Sequence, residues 1–328
     1  MLKMGLLPDW PWWGGTKGGT LALTLTDGAI RYVHASSSDE GGASITAWGV
    51  ELRGNQSRDA FLAKLKGILP AAGRVIVVLD PADYVMLQVE SPNVPVEELH
   101  GAMRWRAMEF MEGSPQDYTL DLLTLSPEPG RSADVIAAVA LNEVLRSRLA
   151  ECVVLDRRST IIDVPETAMR NLLHAVLLDE GIESTVAAVL VASTGRALMV
   201  ISVKGELYFF RRFEFDVDTL AVGADDASME LVGSSAGEES ATRSLVQLHR
   251  SLDLWDLGYP NLPLATLRVD AGPKTAEVID RLRPETGVET RPLALSKLFQ
   301  LPVTKSAPPW QDPAFLPLLG ALLRPKDE

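Results

Sequence analysis

The stretch GTLALTLTDGAIRYV (residues 19–33) holds two short apolar runs that meet at Asp27-Gly28. An Asp-Gly pair between alternating apolar residues is among the strongest signals for a β-hairpin. Many nucleotide-binding folds place a phosphate-binding turn near the start of the chain, which is where this stretch lies. The stretch therefore predicts a hairpin, and it raises the question whether the turn binds a phosphate.

Length and charge set the first limits. A chain of 328 residues fits two domains or one bilobal domain. Asp and Glu number 44 against 31 Lys and Arg, which gives a formal net charge of −13. Because binding to a phosphate backbone relies on clustered cations, this balance argues against DNA and RNA. A partner that is basic, or that binds through apolar contacts, fits the composition better.

The scarcity of metal-binding and disulfide-forming residues excludes several kinds of site. A single cysteine, Cys152, rules out an intrachain disulfide and a Cys-rich zinc site. Its apolar neighbours in AECVVL predict a buried structural thiol rather than a nucleophile. The four histidines are far apart and lack the spacing of metal ligands. We therefore expect no metal site and a reducing compartment.

The apolar segments lack the features of membrane spans and signal peptides. The longest, residues 186–203, is interrupted by a Ser-Thr-Gly-Arg turn. The N-terminus has no apolar core long enough for a signal peptide, so we expect a cytoplasmic protein. Trp10, Trp12 and Trp13 leave two alternatives. They contact a membrane interface or a partner's groove, or they belong to a tail that packs on its own domain.

One order of elements occurs twice along the chain. The first half predicts three strands, a helix and a buried strand, at about 20–26, 29–35, 43–52, 57–69 and 74–80. The second half repeats the three strands, then has an acidic loop, a helix and a strand, at 185–192, 197–203, 206–215, about 216–239, 241–258 and 265–270. An order repeated at the scale of a domain predicts two homologous lobes.

A segment between the two copies predicts a small α+β subdomain, because its strand and helix patterns have no counterpart in the second half. We therefore divide the chain into an N-terminal tail at 1–18, a first lobe at 19–182 and a second lobe at 183–328. The first lobe contains the inserted subdomain at about 80–155.

The chain lacks the motifs of the common nucleotide-binding and hydrolytic enzymes. It has no Walker motif, no GxGxxG, no GxSxG and no zinc signature. The stretch GPKT at 272–275 resembles the end of a Walker motif, but Pro273 lies where the motif needs a backbone N–H donor. We therefore predict no catalytic residue.

Four segments carry a resemblance to a known family. RSLVQLHRSLDLWD (243–256) resembles the EIQRSLDYY-like helix of PilM proteins, with matches at Arg250, Ser251, Leu252 and Asp253. STIIDVPETAMRNLL (159–173) is similar to their VVDVEPFALLRAL segment, with matches at Ile162, Asp163, Val164, Ala168, Arg170 and Leu172. Residues 96–125 are close to the MshI proteins of MSHA pilus biogenesis, in which a Trp-containing helix precedes an acidic segment and a strand. FLPLLGALLRP (315–325) looks like the shared alGaALR end.

The resemblance covers about residues 19–324 and implies a fold. The duplicated order of elements looks like the actin-like fold of sugar kinases, Hsp70 chaperones and bacterial FtsA. The resemblance thus implies an α/β, actin-like (RNase H-like, duplicated) bilobal fold with an inserted FtsA/PilM-type α+β subdomain.

The resemblance also implies a function. PilM-type proteins are cytoplasmic components of type IV pilus machines that lie under the inner membrane. They bind the cytoplasmic tail of a PilN-like membrane protein, in a groove between the first-lobe core and the inserted subdomain, and connect that platform to the assembly ATPases. Carried over as a region, this implies partner-binding residues at Val85, Leu87, Val89, Met103, Trp105 and Met108. The alternative is that these residues form the core of the subdomain.

The first phosphate loop departs from the family pattern. PilM-like proteins typically carry GIDIGSSSVK, in which the acid serves Mg²⁺ and the glycine lets the backbone approach phosphate. In this sequence the acid becomes Thr24 and the glycine becomes Thr26, followed by Asp27 and Gly28. The hairpin turn therefore aligns with a phosphate loop that has lost its acid.

The other two nucleotide loops are also altered. The second loop reads Val191, Ala192, Ser193, Thr194 and Gly195, and its Asp is gone. The adenosine loop keeps only Gly272 clearly. Because both Mg²⁺ anchors are missing, we expect no ATP hydrolysis and no bound cofactor, although Ser193 and Thr194 retain groups that can hold an anion.

These features lead to one main hypothesis and two alternatives. The main hypothesis is a non-enzymatic scaffold of an MSHA-like type IV pilus platform, peripheral at the inner membrane. The first alternative is an active actin-like ATPase that binds ATP and Mg²⁺ in the interlobe cleft. The second is a GspL-like cytoplasmic module of a type II secretion system, which usually continues into a transmembrane helix.

Overall fold

The computed structural model describes residues 18–37, 43–125, 134–157, 160–193, 195–221, 234–302 and 307–325. These residues form two compact units. One unit comprises residues 18–34 and 49–165, and the other comprises residues 35–48 and 166–325, with the gaps just given. Trp10, Trp12 and Trp13 lie outside the described residues.

The strands, in chain order, are β1 (Thr20–Leu25), β2 (Ala29–Ser37), β3 (Ala43–Leu52), β4 (Arg74–Val78), β5 (Tyr84–Glu90), β6 (Tyr118–Thr124), β7 (Asp134–Leu141), β8 (Thr160–Asp163), β9 (Ala187–Ser193), β10 (Gly195–Val203), β11 (Glu206–Phe215), β12 (Thr266–Asp270), β13 (Glu289–Pro292) and β14 (Phe299–Gln300). The α-helices are α1 (Arg58–Ile68), α2 (Val96–Ala107), α3 (Asn142–Val154), α4 (Pro165–Asp179), α5 (Val217–Ala221), α6 (Ser234–Gly258), α7 (Thr275–Thr286) and α8 (Leu316–Leu322).

Two of the three sheets have the same topology. The six-stranded sheet has the order β14-β3-β2-β1-β4-β8, and the five-stranded sheet has the order β11-β10-β9-β12-β13. In each, a three-stranded meander is followed by two strands that pair in parallel beside its first strand. The repeated order that the sequence predicts is therefore confirmed at the level of strand order.

The Asp27-Gly28 hairpin is confirmed, but a different residue holds its turn. The Thr26 hydroxyl donates to the Ala29 carbonyl and accepts the Ala29 N–H, both at 3.1 Å. The Thr26 N–H also donates to the Ala29 carbonyl, at 2.9 Å. Gly28 does not adopt the left-handed backbone that makes glycine favourable in two-residue hairpin turns. A local side-chain to backbone bond therefore replaces the glycine conformation as the reason for this turn.

The prediction of an acidic loop at about 216–239 is wrong at both ends of this segment, where the structure has helices. Asp216 caps the short helix α5, because its Oδ1 accepts the N–H groups of Asp218 at 3.1 Å and Thr219 at 3.3 Å. Helix α6 begins at Ser234, seven residues before the predicted start at 241. Its first turns are rich in Ser, Gly and Glu, a composition that is also typical of loops. Residues 222–233 of the predicted loop lie outside the described part of the chain.

The third sheet forms the inserted subdomain, with the antiparallel order β5-β7-β6. Helix α2 covers one face of this sheet and shares a core with it, composed of Met103, Ala107, Tyr118, Leu120, Val135, Ala137 and Val139. Helix α3 follows β7 and contains Cys152, which is buried and has no disulfide partner. The predicted burial of Cys152 is therefore confirmed, and burial raises the pKa of its thiol to about 11.

Most of helix α4 is buried. Its apolar residues from Ala168 to Leu177 are buried, and its polar residue Glu166 is also buried and pairs with Arg212 of β11 at 2.8 Å. Helix α8 packs against α4 at Gly320, where a Cβ atom would lie 2.0 Å from the carbonyl oxygen of Ala168. Only glycine permits this approach of two backbones. The packing of α8 on α4 thus explains the glycine in FLPLLGALLRP.

The helices carry no sign of a membrane span. Among the described residues, none of them combines the length and the apolar content that crossing a bilayer requires.

We predict that Gly320→Ala destabilises the protein by about 3 kcal/mol or more, because the added methyl group meets backbone that cannot rotate away. Urea unfolding followed by circular dichroism measures the change. Gly101→Ala in α2 is the matched control, since a Cβ there meets nothing within 4 Å, and we expect it to stabilise by about 0.5–1 kcal/mol. Equal effects of the two substitutions would contradict the close contact between α8 and α4.

Candidate functional site

The first candidate loop is the turn after β1. Thr24 and Thr26 are half-buried, and Asp27 and Gly28 are exposed. The Thr26 hydroxyl is engaged in both directions by Ala29, so its donor and one acceptor position are already used inside the turn. The Thr26 carbonyl oxygen accepts a hydrogen bond from Nη1 of Arg58, in α1, at 2.7 Å. The turn is therefore closed by its own bonds and by one guanidinium group.

That guanidinium group belongs to a network of ion pairs within the same unit. Arg58 Nε donates to Glu151 Oε1 of α3 at 2.7 Å. Arg148 lies 3.4 Å from the other Glu151 oxygen and donates to Asp83 Oδ2 through Nε and Nη2 at 3.1 and 3.0 Å. All four side chains are largely buried. The network links the turn to the inserted subdomain and pairs the Arg58 guanidinium with a carboxylate.

Sequence analysis missed this network because its partners are far apart in the chain. Arg58 and Glu151 are separated by 93 residues, and Arg148 and Asp83 by 65. Each residue taken alone reads as an ordinary charge on a helix or loop. No local pattern distinguishes these four charges from the solvated ones.

The second and third candidate loops lie at one edge of the five-stranded sheet. Strands β9 and β12 are parallel neighbours, with Asp270 opposite Val191. Ser193 ends β9 and Gly272 follows β12, so the structure brings these two positions to the same carboxyl edge. Gly195 starts β10 with a left-handed φ of 83° and is exposed. Thr194 lies outside the described residues.

The chain itself occupies the space beside Gly272. This glycine has a φ of 60°, and a Cβ atom there would lie 2.9 Å from the Gln311 carbonyl oxygen and 3.1 Å from Pro313 Cδ. In a nucleotide loop, glycine leaves room for the ligand to approach the backbone. At Gly272, atoms of residues 311–313 lie where the first side-chain atom of a larger residue would be placed.

Asp270 is a second residue that sequence analysis missed. It is buried at the end of β12, and its Oδ1 accepts the Gly272 N–H at 3.0 Å. Burial raises the pKa of Asp270 to about 6, opposed by this hydrogen bond and assisted by the charge of Asp312. Among the described residues, no group of three His, Cys, Asp or Glu side chains could hold a metal ion.

The residues predicted to bind a partner divide into two sets. Met103 is only 1% exposed and belongs to the subdomain core, and Leu87, Val89 and Met108 pack against that core. Val85 and Trp105 have large exposed areas, and Trp105 is 71% exposed. The first set supports the sheet and α2, whereas the second set faces solvent.

An additional aromatic residue lies close to Trp105 in the chain. Phe110, in the single 3-10 turn that follows α2, is 60% exposed. Arg104 and Arg106 flank Trp105 at the end of α2, where cations are favourable at the carboxyl end of a helix dipole. Exposed Trp and Phe beside Arg are the residue types that dominate the energetics of protein interfaces. The subdomain therefore exposes two aromatic side chains, Trp105 and Phe110, and we call these two residues its aromatic surface.

Comparisons with known proteins give no sequence match but several structural ones. No family model matches the chain, and no curated protein matches it. The chain is similar to PilM in the structure of the PilM–PilN type IV pilus biogenesis complex, with 18% identity and a TM-score of 0.66 over 93% of this chain and 98% of that chain.

Two more distant structures are also similar. A Bacteroides thetaiotaomicron protein with an actin-like ATPase fold has a TM-score of 0.48 and 10% identity, over 84% of this chain and 90% of its own. The cytoplasmic domain of EpsL, an inner-membrane component of the type II secretion system of Vibrio cholerae, has a TM-score of 0.45 and 13% identity, over 92% and 94%. The likeness to PilM over nearly the full length of both chains shows that this chain has the actin-like fold, with the inserted α+β subdomain.

We predict that Asp270→Asn stabilises the protein at pH 7.5 by about 2 kcal/mol. The pKa of this carboxyl is about 6 in the native state, against an ordinary value of 3.8. The free energy of unfolding therefore falls as the pH rises from about 4 to 6, and it remains at the lower value above pH 6. A neutral amide keeps the acceptor for Gly272 without this ionisation cost. Urea unfolding at several pH values between 4 and 8 measures the difference.

The advantage of Asp270→Asn is expected to shrink toward pH 4, because the native wild-type carboxyl is then protonated and its ionisation no longer destabilises the fold. Asp253→Asn, at an exposed position of α6, is the control and should leave the pH profile unchanged. A difference between Asp270→Asn and wild type that is constant across the pH range would contradict the raised pKa.

Proposed function

We propose that this protein is a non-enzymatic scaffold of a type IV pilus assembly platform, of the PilM type and closest in kind to MshI of MSHA pili. The observation that carries the proposal is the match in fold to PilM over 93% of this chain, which includes the inserted subdomain. The four segments that resemble PilM and MshI sequences support the same assignment. One of them contains Gly320, and the close contact of this residue with α4 explains why a glycine stands there.

The proposed partner is the cytoplasmic tail of a PilN-like inner-membrane protein. PilM has been crystallised in a complex with PilN, and the aromatic surface of this chain offers Trp105 and Phe110 to a bound segment. The net charge of −13 favours a tail that is basic or that binds mainly through apolar side chains. This partner implies a cytoplasmic location, peripheral at the inner membrane, and contact with the assembly ATPases.

Three observations support a scaffold over an active ATPase. Threonines stand at 24 and 26, where the family has an acid for Mg²⁺ and a glycine for phosphate. Arg58, whose guanidinium contacts that turn, is paired with Glu151. The space beside Gly272 is filled by residues 311–313. The residues present in the loops therefore do not fit Mg²⁺–ATP, and we derive no catalytic step from them.

We predict that 5 mM ATP with 5 mM MgCl₂ leaves the Tm unchanged to within about 1 °C, since a ligand stabilises only the state that binds it. Differential scanning fluorimetry measures the shift, with ATP and EDTA as the control for ionic strength. A site with a Kd near 50 μM would add roughly 2.7 kcal/mol at this concentration, which is easily detected. A clear Mg²⁺-dependent rise in Tm would favour the ATPase alternative.

We predict that a synthetic peptide of the PilN-like tail encoded beside this gene binds with a micromolar Kd, and that Trp105→Ala weakens binding about tenfold because it removes a large apolar contact. Fluorescence anisotropy of a labelled peptide measures both values. Leu257→Ala removes a comparably exposed apolar side chain in the other unit and serves as the matched control.

Two outcomes of the peptide experiment carry different meanings. If the folded wild-type protein does not bind the full-length tail, the proposed partner is wrong. If the tail binds but Trp105→Ala and Leu257→Ala bind it equally well, the partner stands and the aromatic surface is wrong as its site.

A further inference from the structure

Helix α6 contacts β11 with one side and exposes the opposite side. The inner side is buried at Ser244, Leu245, Leu248, Ser251, Leu252 and Trp255. Arg211 of β11 donates to Ser251 Oγ at 2.9 Å and to the Gln247 carbonyl at 3.1 Å, which holds this side on the strand. The outer side of α6 is therefore fixed in its orientation.

The outer side carries four exposed residues at the spacing of a helix-packing seam. These are Val246, Arg250, Asp253 and Leu257, and we call them the α6 stripe. Their intervals of four, three and four residues are those of the a and d positions of a coiled coil. With 3.6 residues per turn, all four lie within about 40° of the direction opposite the buried side.

The α6 stripe contains one charge of each sign. Neither Arg250 nor Asp253 is ion-paired with a residue that the structure describes. By contrast, the exposed Asp280 and Arg283 of α7, which have the same spacing, pair with each other at 3.0 Å. A twofold contact between identical surfaces brings residue i to residue j and residue j to residue i. A stripe with both signs of charge can therefore satisfy its own charges in a second copy.

A depression of about 610 Å³ opens on the outer side of α6, nearer its start. Its lining includes both signs of charge, with Glu238 and Glu239 as well as the arginines. Four of the lining residues are Arg243, Val246, Gln247 and Arg250. Positions i, i+3, i+4 and i+7 are the four that surround a side chain inserted from a facing helix. The depression therefore has the residue spacing of a hole in knobs-into-holes packing.

Leu257 is the side chain on the same helix that suits such a hole. It is 80% exposed, and an aliphatic side chain gains free energy when it leaves water. It follows Val246 by eleven residues, which is about 16 Å along the helix axis. One helix thus carries the hole and the knob on the same side, a few turns apart.

An antiparallel second copy of α6 matches the whole stripe in one register. When Leu257 of the second copy lies over Val246, Asp253 of the second copy lies opposite Arg250. The twofold axis repeats both contacts with the two copies exchanged. Sliding the second copy by one heptad in either direction places a charged residue against Val246 or Leu257. Only the first register joins opposite charges and also joins apolar residues.

We propose that two copies of this chain associate through antiparallel α6 helices. Leu257 of each copy lies in the depression of the other, and Arg250 of each pairs with Asp253 of the other. A contact confined to one helix is small, so the association is weak in dilute solution and is strengthened where copies are held on one assembly. Helix α6 belongs to the unit without the inserted subdomain, so this contact is independent of the PilN-like tail interaction.

Sedimentation equilibrium of the full chain tests the proposal through a pair of charge variants. The wild-type protein should dimerise with a Kd on the order of 100 μM. Arg250→Asp places carboxylates opposite each other, and Asp253→Arg places guanidinium groups opposite each other. Each variant alone should therefore dimerise at least tenfold more weakly. An equimolar mixture of the two variants should dimerise again, because the carboxylates of one variant then face the guanidinium groups of the other.

The α7 pair provides the matched control. Asp280→Arg and Arg283→Asp make the same changes at the same spacing in the same unit, and they should leave the dimer unchanged, alone or mixed. Leu257→Ser should weaken dimerisation about tenfold, because it removes the side chain that fills the depression. Circular dichroism confirms that each variant is folded.

Three outcomes would overturn the proposal. These are a wild-type chain that stays monomeric at about 500 μM, a dimer that persists in Arg250→Asp and Asp253→Arg, and a mixture of these two variants that stays monomeric. The tail peptide, measured on the Arg250→Asp variant, tests the PilN-like interaction separately. Loss of the dimer with unchanged tail binding would support two independent surfaces.

Discussion

The contact between Gly320 and Ala168 constrains the unit that contains α4. Two helix backbones meet there with no room for a side chain, so α8 can seat on α4 only through a glycine. Around this contact α4 is largely buried, and its buried Glu166 pairs with Arg212. A charged group so completely removed from water is stable only when it is paired, so the position of α4 and the identity of residue 212 depend on each other.

The loops that align with nucleotide-binding loops share one physical feature. In each loop the chain itself contacts the groups that face outward. Thr26 forms hydrogen bonds with Ala29 and Arg58, and Arg58 is paired with Glu151. Residues 311–313 lie against Gly272. These contacts stabilise the loops from within the chain, and the fold they support is a property separate from any site placed on it.

The inserted subdomain combines a packed interior with exposed aromatic side chains. Trp105 and Phe110 are exposed, whereas Met103 and Ala107 are buried in the core that α2 shares with its sheet. The packed core thus fixes α2, and the exposed part of this segment carries side chains of the kind that interfaces favour.

The sequence by itself determined the elements whose burial repeats at short intervals. The hairpin at Asp27-Gly28, the duplicated order of strands and the amphipathic α1 follow from alternation and helical spacing, which are properties of neighbouring residues. The start of α6 at Ser234 did not follow, because Ser, Gly and Glu are common both in loops and in first helical turns. Only the tertiary structure decided which charges are paired and which spaces are filled. Glu151 meets Arg58 across 93 residues, Gln311 fills the space beside Gly272, and burial raises the pKa of Asp270. These contacts join residues distant in sequence, so their energies depend on distance and burial, which no local pattern records.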